Sequence, residues 1–158
     1  MQARSSVCVL VFSIRELSKN RFRDAFGVWN VLQNVFLFLR APRFMAVCDC
    51  DQHNIKIINC ETKQLVKTIG SLGSGPQQLD YPYFAAVMPD GKRIAISDFN
   101  NDRIQILDVA SGMFVKSIGN KQGEATNQFS HPAGIAFLST GDAVVVDSDN
   151  HRLQVVNL

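Results

Sequence analysis

Short apolar stretches with a period of two alternate with clusters of Asn, Asp and Gly through most of this chain. Arg93–Ser97 and Arg103–Leu107 place Ile at alternate positions, and Asp98-Phe-Asn-Asn-Asp102 lies between them. Alternation of this kind suits half-buried strands, and the Asn/Asp cluster suits a tight turn. Tyr83–Met88 and Met113–Ile118 add a first and a fourth strand, with Pro89-Asp-Gly91 as a turn signal after the first. Short links force antiparallel neighbours, so the pattern predicts a four-stranded meander.

The pattern recurs. Residues 46–59 read AVCDCDQHNIKIIN, residues 95–108 read AISDFNNDRIQILD and residues 144–157 read VVVDSDNHRLQVVN, each 49 residues after the last. Asp49, Asp98 and Asp147 share one column; Ile55, Ile104 and Leu153 share another. The links match as well: Leu65-Val-Lys-Thr-Ile-Gly70 pairs with Phe114-Val-Lys-Ser-Ile-Gly119. Leu79-Asp-Tyr-Pro82 pairs with Phe129-Ser-His-Pro132, shifted by one inserted residue. A period of roughly 20–50 residues marks a solenoid, propeller or array. A β-solenoid needs shorter coils, and helical repeats need a 3.6-residue period that is absent.

Residues 1–43 do not repeat. They hold a basic stretch, Lys19 to Arg23, and an apolar run from Phe26 to Leu39, readable as a buried helix or an irregular segment although Gly27 and the β-branched valines weaken a helix. The division expected is therefore a non-repeat segment over 1–43, helical or unfolded, and a repeat region over 44–158. Neither apolar run, at Val7–Phe12 or Val28–Leu39, approaches the roughly 20 residues of a membrane span. The first run lacks the small-residue cleavage site of a signal peptide.

Composition narrows the picture little. The chain is 46% hydrophobic and 19% charged, a globular balance, with a formal charge of +2. That charge tolerates a nucleic-acid partner without arguing for one. Four cysteines in 158 residues are not a disulfide framework, and the expectation is a reduced, cytoplasmic protein.

Asp147-Ser-Asp-Asn-His-Arg-Leu-Gln-Val-Val, preceded by Phe129-x-x-Pro-x-Gly-Ile-Ala-Phe137, closely resembles the NHL repeat. The middle unit keeps Leu79, Pro82, Gly91, Asp98, Asn101, Arg103 and Gln105 of that pattern. The first keeps Asp49 and Ile55 but has Gln52 and Asn54 where later units have Asn and Arg. The resemblance covers about 115 residues and implies an all-β partial β-propeller of four-stranded NHL-type blades, about two and a third of the six usual in that family. Closed propellers leave only short, protected strand edges. The resemblance therefore implies that further blades come from a longer chain or from another copy. In the family it resembles, such propellers sit at the C-terminus of tripartite-motif ubiquitin ligases and recognise RNA or proteins. No RING-type Cys/His spacing or heptad pattern is present, so any ligase activity would reside in domains outside these residues.

Residues repeated in every unit are expected to be scaffold. Asp49, Asp98 and Asp147 accept hydrogen bonds at a turn, and Arg103 and Arg152 can pair with them through a forked guanidinium. Candidate ligand-binding residues are those that differ between units on the one rim where, in a propeller, the strand turns and inter-unit links meet. These are Phe99, Tyr81, Tyr83, Lys121, Gln122 and His131. Phe99 is the unexpected one, an aromatic in a turn that otherwise reads Asp/Asn; it either tucks against the next unit or stacks on a base or peptide side chain. Aromatic and basic residues together suit single-stranded RNA or protein. Cys48, Cys50, His53 and Cys60 occupy ordinary repeat positions, without the paired spacing of a structural zinc site. No nucleophile elbow, phosphate loop or metalloprotease helix is present. The expected function is a non-enzymatic binding module with no cofactor and no metal. Protein scaffolding without nucleic acid is the alternative; a propeller lyase is more remote, because no histidine lies inside the first strands of the units.

Overall fold

The computed structural model describes residues 44–119 and 121–158. The expectation of a helical or unfolded segment over 1–43 lies outside the described residues. Within them the chain is β-strand with a single 3-10 turn. Strands β1 (Phe44–Asp49), β2 (Asn54–Asn59) and β3 (Leu65–Ile69) form the first sheet. A two-residue parallel pair, β4 (Ser71–Leu72) with β5 (Gln78–Leu79), lies in the link that follows. The second sheet has four antiparallel strands in chain order: β6 (Pro82–Val87), β7 (Arg93–Asp98), β8 (Arg103–Asp108) and β9 (Phe114–Gly119). The third comprises β10 (Pro132–Phe137), β11 (Ala143–Asp147) and β12 (Arg152–Val156). The meander read from the middle unit is thus the observed order, and no closed ring is present among the described residues.

The repeat extends to the irregularities. Register shifts fall between Pro82 and Phe84 and again between Pro132 and Ile135; others fall between Ile57 and Ile58 and between Ile106 and Leu107. Such bulges bend a strand and increase its twist. His53, Asp102 and His151 all hold a left-handed backbone near φ 52°, as do Tyr81 and His131 ahead of their prolines. A non-glycine residue in that region costs roughly 1 kcal/mol, so recurrence in each unit marks it as part of the architecture.

Each sheet buries both faces wherever it has neighbours. Ala46, Cys48, Ile55, Ile57 and Ile69 of the first sheet pack on Leu79, Ala85, Ile94, Ile96 and Leu107 of the second unit. The opposite face of the second sheet, with Ala95, Ile104 and Ile106, packs on Phe129, Ile135, Ala143 and Val145 of the third. On the third sheet the equivalent face is open: Leu153 and Val155 are 67% and 62% exposed, where Ile104 and Ile106 are fully buried.

Candidate functional site

The Asp and Arg columns build one network twice. Asp98 is fully buried. It accepts hydrogen bonds from the Asp80 amide at 2.6 Å, Asn101 Nδ2 at 2.9 Å, Arg103 Nε at 2.6 Å and Gln105 Nε2 at 3.1 Å. The rest of the Arg103 fork donates to the carbonyls of Ser74, Gly75 and Gln78. Asp147 repeats the set with the Ser130 amide, Asn150, Arg152 and Gln154, and Arg152 donates to the carbonyls of Glu124, Ala125 and Gln128. Burial pushes the Asp147 carboxyl up, but those four donors together outweigh it and hold it below the usual carboxylate range. The second and third units therefore each clamp the link that leads into them. Among the described residues Asp49 accepts from the Gln52 amide and from Lys56 Nζ, with Asn54 standing in the Arg column.

A second device ties unit to unit. His53 Nδ1 accepts the Tyr81 amide at 3.0 Å, and Asp102 Oδ1 accepts the His131 amide at 2.9 Å. Because His53 Nδ1 is an acceptor there, Asp80, 3.4 Å away, is not ion-paired through that nitrogen.

The aromatic residues meet at the junction of the second and third units. The turn Phe99–Asn101 follows β7, and its amides at Phe99 and Asn100 donate to the Tyr81 and Asp80 carbonyls. That places the half-buried Phe99 ring between the two links. Its centroid lies 4.6 Å from His131, 5.4 Å from Tyr83 and 6.0 Å from Tyr81, the last edge-on. These separations fall within the range of favourable aromatic pairs. His131 Nδ1 donates to Asp149 Oδ2 at 2.5 Å. Four of the six candidate residues, Tyr81, Tyr83, Phe99 and His131, thus form one cluster. Gln122 donates to Ser130 Oγ beside it, and Lys121 is exposed on the link without entering the ring contacts.

Sequence reasoning missed the carboxylates around the rings. Asp149 occupies the Asp51/Asn100 column, Asp80 bonds Asn100, and Asp102 holds the His131 backbone. The signal available was the position before proline, where Tyr81 and His131 need an acceptor from the preceding unit. The surroundings of the rings are acidic rather than basic. A cleft lined by Lys67, Ile69, Gln77 and Gly112 includes none of the four rings. The thiols of Cys48, Cys50 and Cys60 are buried; burial, then the neighbouring Cys50, push the Cys48 thiol well up. No group of three or more potential metal ligands occurs among the described residues, and no described helix is long and apolar enough to cross a membrane.

Comparison with known proteins gives a match to the NHL repeat over residues 129–156. No curated protein sequence matches the chain. Among solved structures, an auxiliary nutrient binding protein from Bacteroides thetaiotaomicron aligns with a TM-score of 0.55 and 17% identity, over 72% of this chain and 36% of that one. A protein of Bacteroides fragilis named as exported aligns with a TM-score of 0.54 and 19% identity, over 67% of this chain and 27% of that one. A weaker likeness, at a TM-score of 0.32 and 10% identity over 93% of this chain and 49% of that one, is to the β-propeller domain of Swd1 from Myceliophteria thermophila. The chain spans about a third or less of the two Bacteroides structures. The cytoplasmic location expected from the cysteines is corrected by these matches: a structural relative is named as exported, so the fold is not tied to the cytoplasm. Buried single thiols are compatible with either compartment.

Proposed function

We propose that this chain is part of an NHL-type β-propeller and acts as a non-enzymatic binding module, whose aromatic rim at Tyr81, Tyr83, Phe99 and His131 recognises a protein segment. The observation that carries the reading is the Phe99 ring, held between two inter-unit links and against His131. The ring tucks against His131 of the third unit, but Cys50 and Ser148 fill the same column, so this turn does not need an aromatic in every unit, and the half-exposed ring face is left for a partner. Asp80, Asp102 and Asp149 around the rings disfavour nucleic-acid phosphates and favour Lys or Arg side chains flanked by apolar ones. In this reading further units from a longer chain or another copy complete the ring, and tripartite-motif or ubiquitin-ligase association belongs to domains beyond these residues.

The test is peptide display on the wild-type chain, counter-selected on Phe99→Ser. Enriched peptides carry a basic residue beside an aromatic or aliphatic one and lose at least tenfold in affinity on the variant. Equal enrichment on both proteins refutes the rim. An oligouridine 15-mer is the RNA arm. Saturable binding whose log affinity falls linearly with log salt, and which is lost in the Phe99→Ala/Lys121→Ala double variant, would replace the protein reading with RNA.

A further inference from the structure

One column of the repeat holds His53, Asp102 and His151, and the three share a backbone: φ is 53°, 52° and 51°, and each amide donates to the carbonyl three residues back. At the two junctions within the chain this turn aims the side chain at the next unit. His53 Nδ1 accepts the Tyr81 amide at 3.0 Å, and Asp102 Oδ1 accepts the His131 amide at 2.9 Å. Both donors precede a proline and hold a positive φ, 58° and 52°. The two acceptors do one job but differ in one chemical respect. A carboxylate accepts throughout the neutral range, whereas an imidazole nitrogen accepts only while it carries no proton.

The His53 ring has a second partner within reach. Asp80 Oδ1 lies 3.4 Å from the same Nδ1. Asn100 holds that carboxylate in place, its Nδ2 donating to Asp80 Oδ1 at 3.0 Å and its amide to the Asp80 carbonyl. A neutral ring gains the amide through Nδ1 and nothing from the carboxylate; a protonated ring gains the carboxylate and is opposed by the amide. Other charges do not enter. The turn Phe99–Asn101 brings none, Asp51 on the ring's own turn is exposed, Asp49 is engaged by Gln52 and Lys56, and Asp98 is enclosed by its own donors. The His53 and Asp80 side chains are 24% and 33% exposed, so solvent protons reach the pair. At the second junction Ser130 stands where Asp80 stands in the first, and that junction has neither part of the switch.

We propose that His53 is a proton-controlled latch between the first and second units. Neutral, the ring carries its proton on Nε2 and holds the Tyr81 amide on Nδ1. When solvent protonates Nδ1, that nitrogen becomes a donor, releases the amide and pairs with Asp80. Tyr81 then keeps its carbonyl bond to the Phe99 amide, at 3.4 Å, but its left-handed backbone loses the contact that over-determines it. The change is a local opening of one junction and not of the fold. Because the Tyr81 ring meets Phe99 edge-on at 6.0 Å, the proton also sets one wall of the aromatic cluster. That last consequence rests on the rim reading; the latch itself does not.

The test is NMR of the isotope-labelled full chain as the pH is lowered from about 8 to about 5.5, the range in which histidine titrates. At the upper pH the His53 ring shows an unprotonated Nδ1. On acidification the Tyr81 amide shifts with the midpoint of that ring, and its protection from hydrogen exchange, corrected for the intrinsic rate, falls about tenfold. The His131 amide, held by Asp102, changes in protection by less than about twofold. His53→Asn keeps a neutral acceptor in a residue that tolerates the left-handed backbone, and Tyr81 protection in that variant is insensitive to pH. Asp80→Asn removes the second partner and moves the shared midpoint to lower pH. Neither readout involves a rim ligand, so failure here leaves the rim reading standing. The proposal is overturned if Nδ1 carries the proton at the upper pH, if Tyr81 protection holds while the ring titrates, or if it falls equally in His53→Asn. Equal losses at the Tyr81 and His131 amides would mark a general loosening and overturn it as well.

Discussion

Replacing Arg103 by alanine removes a side chain that is 7% exposed and four hydrogen bonds, one to a carboxylate with no exposure and three to link carbonyls. Removing one partner of a buried ion pair costs about 3–5 kcal/mol. Asp98 retains the Asp80 amide, Asn101 and Gln105 as donors, which places the expected loss at the lower end, about 3 kcal/mol. With a urea slope of about 1.5 kcal/mol/M for a domain of this size, the unfolding midpoint falls by about 2 M. Arg152→Ala is the control. It removes the same set of bonds, but its side chain is 31% exposed on the open unit. Solvent screening brings that loss to about 1 kcal/mol and the midpoint shift below 1 M. Arg103→Lys keeps the charge but not the fork and recovers less than half of the loss. The assay is equilibrium urea unfolding followed by tryptophan-independent far-ultraviolet circular dichroism. Equal shifts for Arg103→Ala and Arg152→Ala would show that burial of the clamp does not set its strength, and the reasoning would fail.

Gly119→Ala and Gly141→Ala separate backbone strain from steric overlap. Both glycines have φ above +90°, but a Cβ on Gly141 meets nothing within 4 Å, so its loss is the strain alone, about 1 kcal/mol. Gly119→Ala, in conflict with two backbone atoms, loses about 3 kcal/mol or more; matching thermal midpoints would contradict this. Acid dependence follows from Asp147, whose folded-state carboxyl lies below its ordinary value. Its contribution is present above the unfolded-state value of about 3.9 and is lost as the pH falls through the lower native value. Asp147→Asn should therefore flatten the decline of the urea midpoint below about pH 4; an unchanged slope would remove Asp147 from the acid response.

The strands of the second unit were legible from their isoleucines, but not as half-buried: Ala95, Ser97 and Gln105 are as fully buried as Ile94, Ile96, Ile104 and Ile106, because the middle sheet is covered on both faces. The pairing of Asp98 with Arg103 and of Asp147 with Arg152 was legible because both columns recur; the glutamine that joins each pair was not read as part of it. The link between units was less so. Gln77 and Asn127 adopt the same left-handed backbone, which asparagine favours but glutamine does not announce. The unit-to-unit acceptor escaped for a chemical reason. His53 and Asp102 do one job with different groups, a ring nitrogen and a carboxylate oxygen, so identity does not recur where function does. Asp149 was invisible beside His131 because the two are 18 residues apart and meet only when β10 and β11 pair.

The clamps have a consequence for how such chains change length. The second and third units fasten their own entry links, and what is passed forward is an acceptor, an apolar sheet face and a few side-chain contacts such as Cys50 Sγ to the Pro82 carbonyl and Ser97 Oγ to the Ala133 carbonyl. Gly70 and Gly119 occupy the same phase of the repeat with the same φ. Excising residues 71–119 would join Gly70 to Asn120 in register, present Ala46, Cys48, Ile55 and Ile57 to Phe129, Ile135, Ala143 and Val145, and offer His53 to the His131 amide in place of Asp102. The fold thus lends itself to gain or loss of whole 49-residue units, while the residue added between Gly119 and Phe129, relative to Gly70 and Leu79, shows that the links take up smaller steps that the strands do not.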